Sequence, residues 1–142
     1  MKVKQIMTEN VVSVGQRETV THAARLMKRG NLGALPVCDD DGRLRGIVTD
    51  RDIVTRCVAG DDDPADTPVR EIMSRGITTC RADDDADDVL RVMSAGQIRR
   101  IPVTDGGRVV GMLSLGDLAR SEYFSMEAAE AFAEISSNIL RR

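Results

Sequence analysis

The chain has 142 residues, enough for one domain or for two half-size units sharing a core. With 42% hydrophobic and 30% charged residues it has the composition of an ordered globular protein, and a net charge of -3 opposes general polyanion binding. Aromatics make up 2% and are confined to Tyr123, Phe124 and Phe132, so residues 1–122 offer no stacking platform for single-stranded nucleic acid; no apolar run approaches the ~18 residues of a membrane span.

The chain starts Met1-Lys2-Val3-Lys4-Gln5, without the apolar stretch of a signal peptide, so a cytoplasmic location is expected. Ile6-Met7-Thr8 follows and returns 66 residues later as Ile72-Met73-Ser74. The same spacing links Met27 to Met93, Gly30 to Gly96 and Pro36 to Pro102. One deletion shortens it to 65, linking Gly46 to Gly111 and Asp52 to Asp117. Such sustained register marks an internal duplication. The expected units are residues 1–60 and 69–122, joined by an acidic linker at 61–68 and followed by an amphipathic helix at 123–142.

Within each copy the elements come in the same order. Val11–Val14 and Ile77–Cys80 are short strand candidates. A helix follows, with apolar stripes Val20, Ala23, Ala24, Met27 and Ala86, Val89, Leu90, Met93. Thr19 and the Asp83–Asp85 run suit the helix starts, and Gly30 and Gly96 suit the helix ends, where a positive φ is easiest for glycine. Leu35-Pro36-Val37-Cys38 and Ile101-Pro102-Val103 read as strands leading into Asp- and Gly-rich hairpin turns. The strands return through Gly46 and Gly111, and second helices begin near Thr49 and Ser114, the first of them running through about Val58. Each copy is thus β-α-β-β-α, an α+β architecture. One copy cannot cover its own sheet, so the two copies are expected to pack through their sheets. In the tail, Ala128, Ala131, Phe132, Ile135 and Ile139 line one face, and the chain ends Arg141-Arg142. That face either covers the chain's own core or forms a dimer contact.

Three cysteines, Cys38, Cys57 and Cys80, form no CxxC and no cluster with histidine, so they read as small buried side chains. His22 is the only histidine and lies on a helix away from any candidate nucleophile. The Asp61–Asp63 and Asp83–Asp85 runs lack the spacing of a calcium loop and read as solvated linker and helix-start charge. No catalytic residue and no metal ligand is assigned.

The element Gly46-Ile47-Val48-Thr49-Asp50-Arg51-Asp52-Ile53 and its partner Gly111-Met112-Leu113-Ser114-Leu115-Gly116-Asp117-Leu118 resemble the signature of CBS domains. The Ile-Met-Thr/Ser and Leu/Ile-Pro-Val segments fit the same pattern, and the resemblance covers roughly residues 3–122. The chain looks like a stand-alone CBS pair, or Bateman module. The resemblance implies two CBS units with pseudo-two-fold symmetry, a flat homodimer, and a regulatory module that binds an adenosine-containing ligand in the cleft between its units. AMP, ADP or ATP comes first; S-adenosylmethionine and NAD are related candidates. No cofactor is required, the effector protein is unknown, and neither nucleic acid nor membrane is an expected partner.

The residues carried over are Thr49, Asp52, Ser114 and Asp117. A hydroxyl donates to a phosphate or sugar oxygen, and a carboxylate three residues on accepts from vicinal ribose hydroxyls. The same Thr/Ser-x-x-Asp spacing is also a capping box, and the two roles are compatible. Arg51 lies inside the first signature; Arg99 and Arg100 precede the second Ile-Pro-Val, whereas the first copy has Gly33 and Ala34 there. These arginines are the expected phosphate cations. Backbone near Val12 and Thr78 is expected to meet the adenine. A ligand-free interaction or dimerisation module is the alternative.

Overall fold

A computed structural model describes residues 1–121 and 125–140. Its first sheet has the order β1-β2-β3, from Val14–Gly15, Ala34–Cys38 and Leu44–Thr49. The second pairs β4 (Arg100–Asp105) with β5 (Arg108–Ser114). Helices α1 (Val20–Gly30) and α3 (Ala86–Gly96) follow the two repeated leading strands. Helices α2 (Asp50–Asp52) and α4 (Leu115–Arg120) follow the hairpins, and α5 (Ser125–Leu140) comes last. Past Asp52 the helix widens into a π-turn segment, Ile53–Val58, whereas α4 keeps α winding.

The duplication governs the hydrogen bonds. Val14 pairs in parallel with Val37, and the equivalent contact in the second copy is the single bridge Cys80–Val103. The strand candidates at Val11–Val14 and Ile77–Cys80 are thus reduced to their last residues. Val12 and Thr78 are exposed, and only Val14 and Cys80 turn inward onto a partner. Thr19 caps α1 by accepting from the His22 N–H at 3.1 Å, and Asp85 caps α3 by accepting from the Asp87 N–H at 3.0 Å. Asp83 instead pairs with Lys4 at 3.0 Å.

The helix ends correct one expectation. Gly30 and Gly96 are the last helical residues, and the left-handed conformation falls one residue later, on Asn31 (φ 52) and Gln97 (φ 55). The N–H groups of Leu32 and Ile98 then donate to Met27 and Met93 carbonyls, as in a Schellman end. A Cβ on Gly30 would lie 3.0 Å from Leu32, and one on Gly96 would lie 3.1 Å from Ile98. Glycine is needed there for room for the apolar residue that folds back.

The packing units cut across the repeat boundaries. One is Val12–Ile77; the other joins Met1–Val11 to Thr78–Arg142. In the first, Ser74 bridges Ile47 and Pro68 bridges Thr19; in the second, Thr8 bridges Met112 and Lys2 bridges Asp85. The leading segment of each repeat is therefore built into the other repeat. The expected linker is not free either: Thr21 donates its N–H to the Pro64 carbonyl, Val20 donates to that of Thr67, and Thr67 is buried.

Each unit has its own apolar core. Leu35, Val37, Val48 and Cys57 pack with Val69 and Ile72 in the first. In the second, Val3 joins Met93, Ile101, Leu113 and Leu118. Helix α5 closes this second core through Ala128, Ala131 and Ile135, so the tail covers the chain's own interior. Phe132 departs from the expected buried face: it is half exposed, because it lies one step off the 128–131–135 stripe. Tyr123, Phe124, Arg141 and Arg142, and the side chain of Ile139, lie outside the described residues.

Candidate functional site

Each signature is a strand running directly into a helix, and both copies have the same geometry. In the first, Thr49 Oγ1 accepts from the Asp52 N–H at 3.1 Å, and Asp52 Oδ2 accepts from the Thr49 N–H at 2.9 Å. In the second, Ser114 Oγ accepts from the Asp117 N–H at 3.0 Å, and Asp117 Oδ2 accepts from the Ser114 N–H at 2.9 Å. These are reciprocal capping boxes. Each carboxylate is turned into its own helix start and mostly shielded, with side-chain exposures of 11% for Asp52 and 9% for Asp117.

The cap uses half of each side chain. The hydroxyl accepts, leaving its O–H proton to donate elsewhere, and one carboxylate oxygen accepts the cap N–H. The other oxygens, Oδ1 of Asp52 and of Asp117, face arginines. Arg56 Nε is 3.7 Å from Asp52 Oδ1, and Arg56 Nη1 also donates to the carbonyls of Ile72 at 3.1 Å and Met73 at 3.4 Å. Arg120 pairs directly with Asp117 Oδ1 and is 74% exposed. Sequence reasoning overlooked both arginines. The available signal was an Asp followed three or four residues later by Arg on one helix face.

The other expected site residues fall as follows. Arg51 is exposed beside Thr49 and Asp52 and pairs with no carboxylate among the described residues. Arg100 is the β4 partner of Ser114, and the Arg99 carbonyl accepts from the Leu115 N–H at 2.8 Å, which ties both arginine backbones to the second turn. The Arg99 guanidinium itself lies over the Phe132 ring of α5, 5.7 Å from its centroid. Val12 and Thr78 are exposed and belong to no strand. Beside Thr78, a 260 Å³ pocket lined by Thr79, Cys80 and Ile101 also carries Asp84, Asp85 and Asp88, whose charge opposes a phosphate.

Gly46 and Gly111 serve the fold rather than a ligand. A Cβ on Gly46 would stand 2.6 Å from the Ser74 carbonyl oxygen, and one on Gly111 would stand 2.6 Å from Met7 Sδ. The close approach they allow is that of the exchanged leading segments. All three cysteines are buried and unpaired, and burial pushes the Cys80 thiol up to about 11, with Asp84 adding to the shift. The exposed His22 imidazole lies 3.6 Å from Glu18. Among the described residues, no group of three or more His, Cys, Asp or Glu side chains is placed to hold a metal ion, and no helix is long and apolar enough to cross a membrane.

The CBS domain family profile matches residues 3–59 and 69–123. The chain is 40% identical over 134 residues to the CBS domain-containing protein YhcV of Bacillus subtilis, covering 94% of each. It is 40% identical over 117 residues to hypoxic response protein 1 of Mycobacterium tuberculosis, covering 82% of each. The crystal structure of hypoxic response protein I, which holds two coordinated zinc ions, matches with a TM-score of 0.78 at 39% identity over 84% of this chain and 98% of that one. The CBS domain pair of protein MJ0100, solved with 5′-methylthioadenosine and S-adenosyl-L-methionine, matches at 0.76 and 30% identity over 84% of this chain and 94% of that one. The duplicated signature, the two capped turns and these likenesses together show that the chain belongs to the CBS domain family and carries two CBS domains in tandem.

Proposed function

We propose that this chain is a non-catalytic regulatory module whose strand-to-helix turns bind an adenosine-containing ligand, with AMP, ADP or ATP as the leading class. The observation that carries this reading is the division of labour in the capping boxes. Thr49 and Ser114 keep a hydroxyl proton to donate, and the second carboxylate oxygen of Asp52 and of Asp117 stays outside the cap, facing Arg56 or Arg120, with lone pairs to accept from ribose hydroxyls. The adenosyl ligands of the related MJ0100 pair support the same chemistry here. Arg51 at the first turn and Arg100 at the second are the phosphate cations named for it. Binding that favours one conformation shifts the population, and an effector protein reads the shift. The module acts in the cytoplasm as a homodimer; exposed Val54, Val58 and Met126 supply apolar surface for that association.

The test is calorimetric titration with AMP, ATP, S-adenosylmethionine and 5′-methylthioadenosine, followed by Asp52→Asn and Asp117→Asn. Asparagine keeps an acceptor for the cap and replaces the ribose acceptor with a donor. Each change is expected to weaken its own site roughly tenfold to a hundredfold, the scale of a lost charged hydrogen bond. A second reading rests on Arg56 and Arg120, which satisfy both carboxylates without any ligand. Under it the chain is a ligand-free interaction module, and titration of all four compounds gives no heat and no thermal shift.

A further inference from the structure

Asp117 and Asp52 have matched caps but unmatched arginines. Arg56 is tied down: besides Asp52, it reaches the carbonyls of Ile72 and Met73. Among the described residues Arg120 has a single partner, Asp117, and its side chain is 74% exposed. Its guanidinium folds back along α4 toward the start of the helix. A Cβ on Gly116 would lie 3.5 Å from Arg120 Nη1 and 3.5 Å from Ser114 Oγ. The cation therefore lies against bare backbone beside the hydroxyl of the second turn.

The repeat register explains why this spot is open. The first copy has Arg51 where the second has Gly116. Arg51 gives the first turn a cation from the second position of its helix. The second turn has no side chain there, and its Arg99 guanidinium is engaged with Phe132. Helix α4 is only six residues long, and its Asp117 N–H is already taken by Ser114 Oγ, so its backbone offers a phosphate little. A doubly charged phosphate needs cations, and besides Arg100 of β4 the exposed Arg120 guanidinium lies on the Gly116 side of this turn.

We infer that Arg120 is a second phosphate-binding cation of the Ser114–Asp117 turn beside Arg100, supplied from one helical turn downstream in place of the arginine that Gly116 lacks, and that it makes this site select phosphorylated nucleosides. The inference rests on the nucleotide-binding reading of that turn. In the free protein Arg120 neutralises Asp117 Oδ1. When ribose hydroxyls donate to that oxygen, the guanidinium is released and moves the short distance to the phosphate. No bond is made or broken in this exchange; one ion pair replaces another.

The experiment uses the Asp52→Asn chain, in which the second turn is the one measured, and titrates AMP and adenosine separately. Arg120→Gln is expected to weaken AMP roughly tenfold to a hundredfold and leave adenosine within about twofold. Arg120→Lys, which keeps the charge, is expected to recover part of the AMP loss. Circular dichroism melts check that each variant folds. An equal change for both ligands overturns the inference, because Arg120 then acts only by holding Asp117. No change for either overturns it as well. Failure of the Asp52→Asn chain to bind either compound overturns the nucleotide reading of the turn and this inference together, whereas binding with unaltered AMP affinity in Arg120→Gln removes the inference alone.

Discussion

A thiol that releases its proton only near pH 11 is a poor nucleophile, and Cys80 is only 6% exposed, at the wall of the pocket beside Thr79. Cys38 and Cys57 are buried as well, and burial raises both thiols. Below pH 9.0, folded and unfolded Cys80 both carry the proton and contribute no pH dependence. Between pH 9.0 and about 11 the unfolded thiol ionises while the folded one does not, so stability falls as pH rises through that window. Denaturation midpoints measured from pH 8 upward should show this decline. Iodoacetamide at pH 8 should label none of the three until denaturant is added. Their buried character was legible from the sequence, because they form no CxxC and no cluster with histidine. Arg120 was not legible in the same way. The Asp-x-x-Arg spacing signals its pairing with Asp117, but its place beside Gly116 depends on where a flexible side chain lies.

The hairpin strands and the segments docked on them form the next level. Gly46 and Gly111 occupy the same repeat position but meet different atoms. A methyl on Gly46 runs into the backbone carbonyl of Ser74, which cannot yield, and into Met73 Sδ at 2.8 Å. A methyl on Gly111 meets the flexible Met7 side chain first, with the Thr8 carbonyl oxygen at 3.1 Å. Gly46→Ala is therefore expected to cost about 1–3 kcal/mol and Gly111→Ala less. Thermal melts of the two variants would show the difference as unequal losses of several degrees. Helices α1 and α3 were readable from their apolar stripes, although Ala24 of the first is exposed, and the caps fell on Thr19 and on the last residue of the Asp83–Asp85 run. The leading strands were not, because a run of Val, Ile and Thr signals extended backbone without saying whether anything pairs with it. Val12 and Thr78 belong to no strand.

Across the whole chain, a 66-residue period reveals two copies but not which pieces pack together. A leading segment docked on its own repeat and one docked on the other give the same period, so the exchange had no sequence signature. It makes a sharp prediction. Deleting Met1–Val11 removes fully buried Val3 and the backbone bonds from Val3, Lys4 and Thr8 to Asp84, Ala82 and Met112. Hydrogen exchange should then accelerate in α3, β4 and β5 while α1, β2 and β3 keep their protection. Uniform acceleration, or loss confined to β1–β3, would contradict the exchange.

The exchange also sets an order of events during synthesis. Translation delivers Met1–Val11 before Thr78–Arg142, yet that stretch completes the unit formed by the later segment. Val12–Ile77 is continuous and can close once Ile77 has left the ribosome. During synthesis one finished body thus carries the unpaired Met1–Val11 segment, which stays available to chaperones and proteases until the segment from Thr78 onward emerges to receive it.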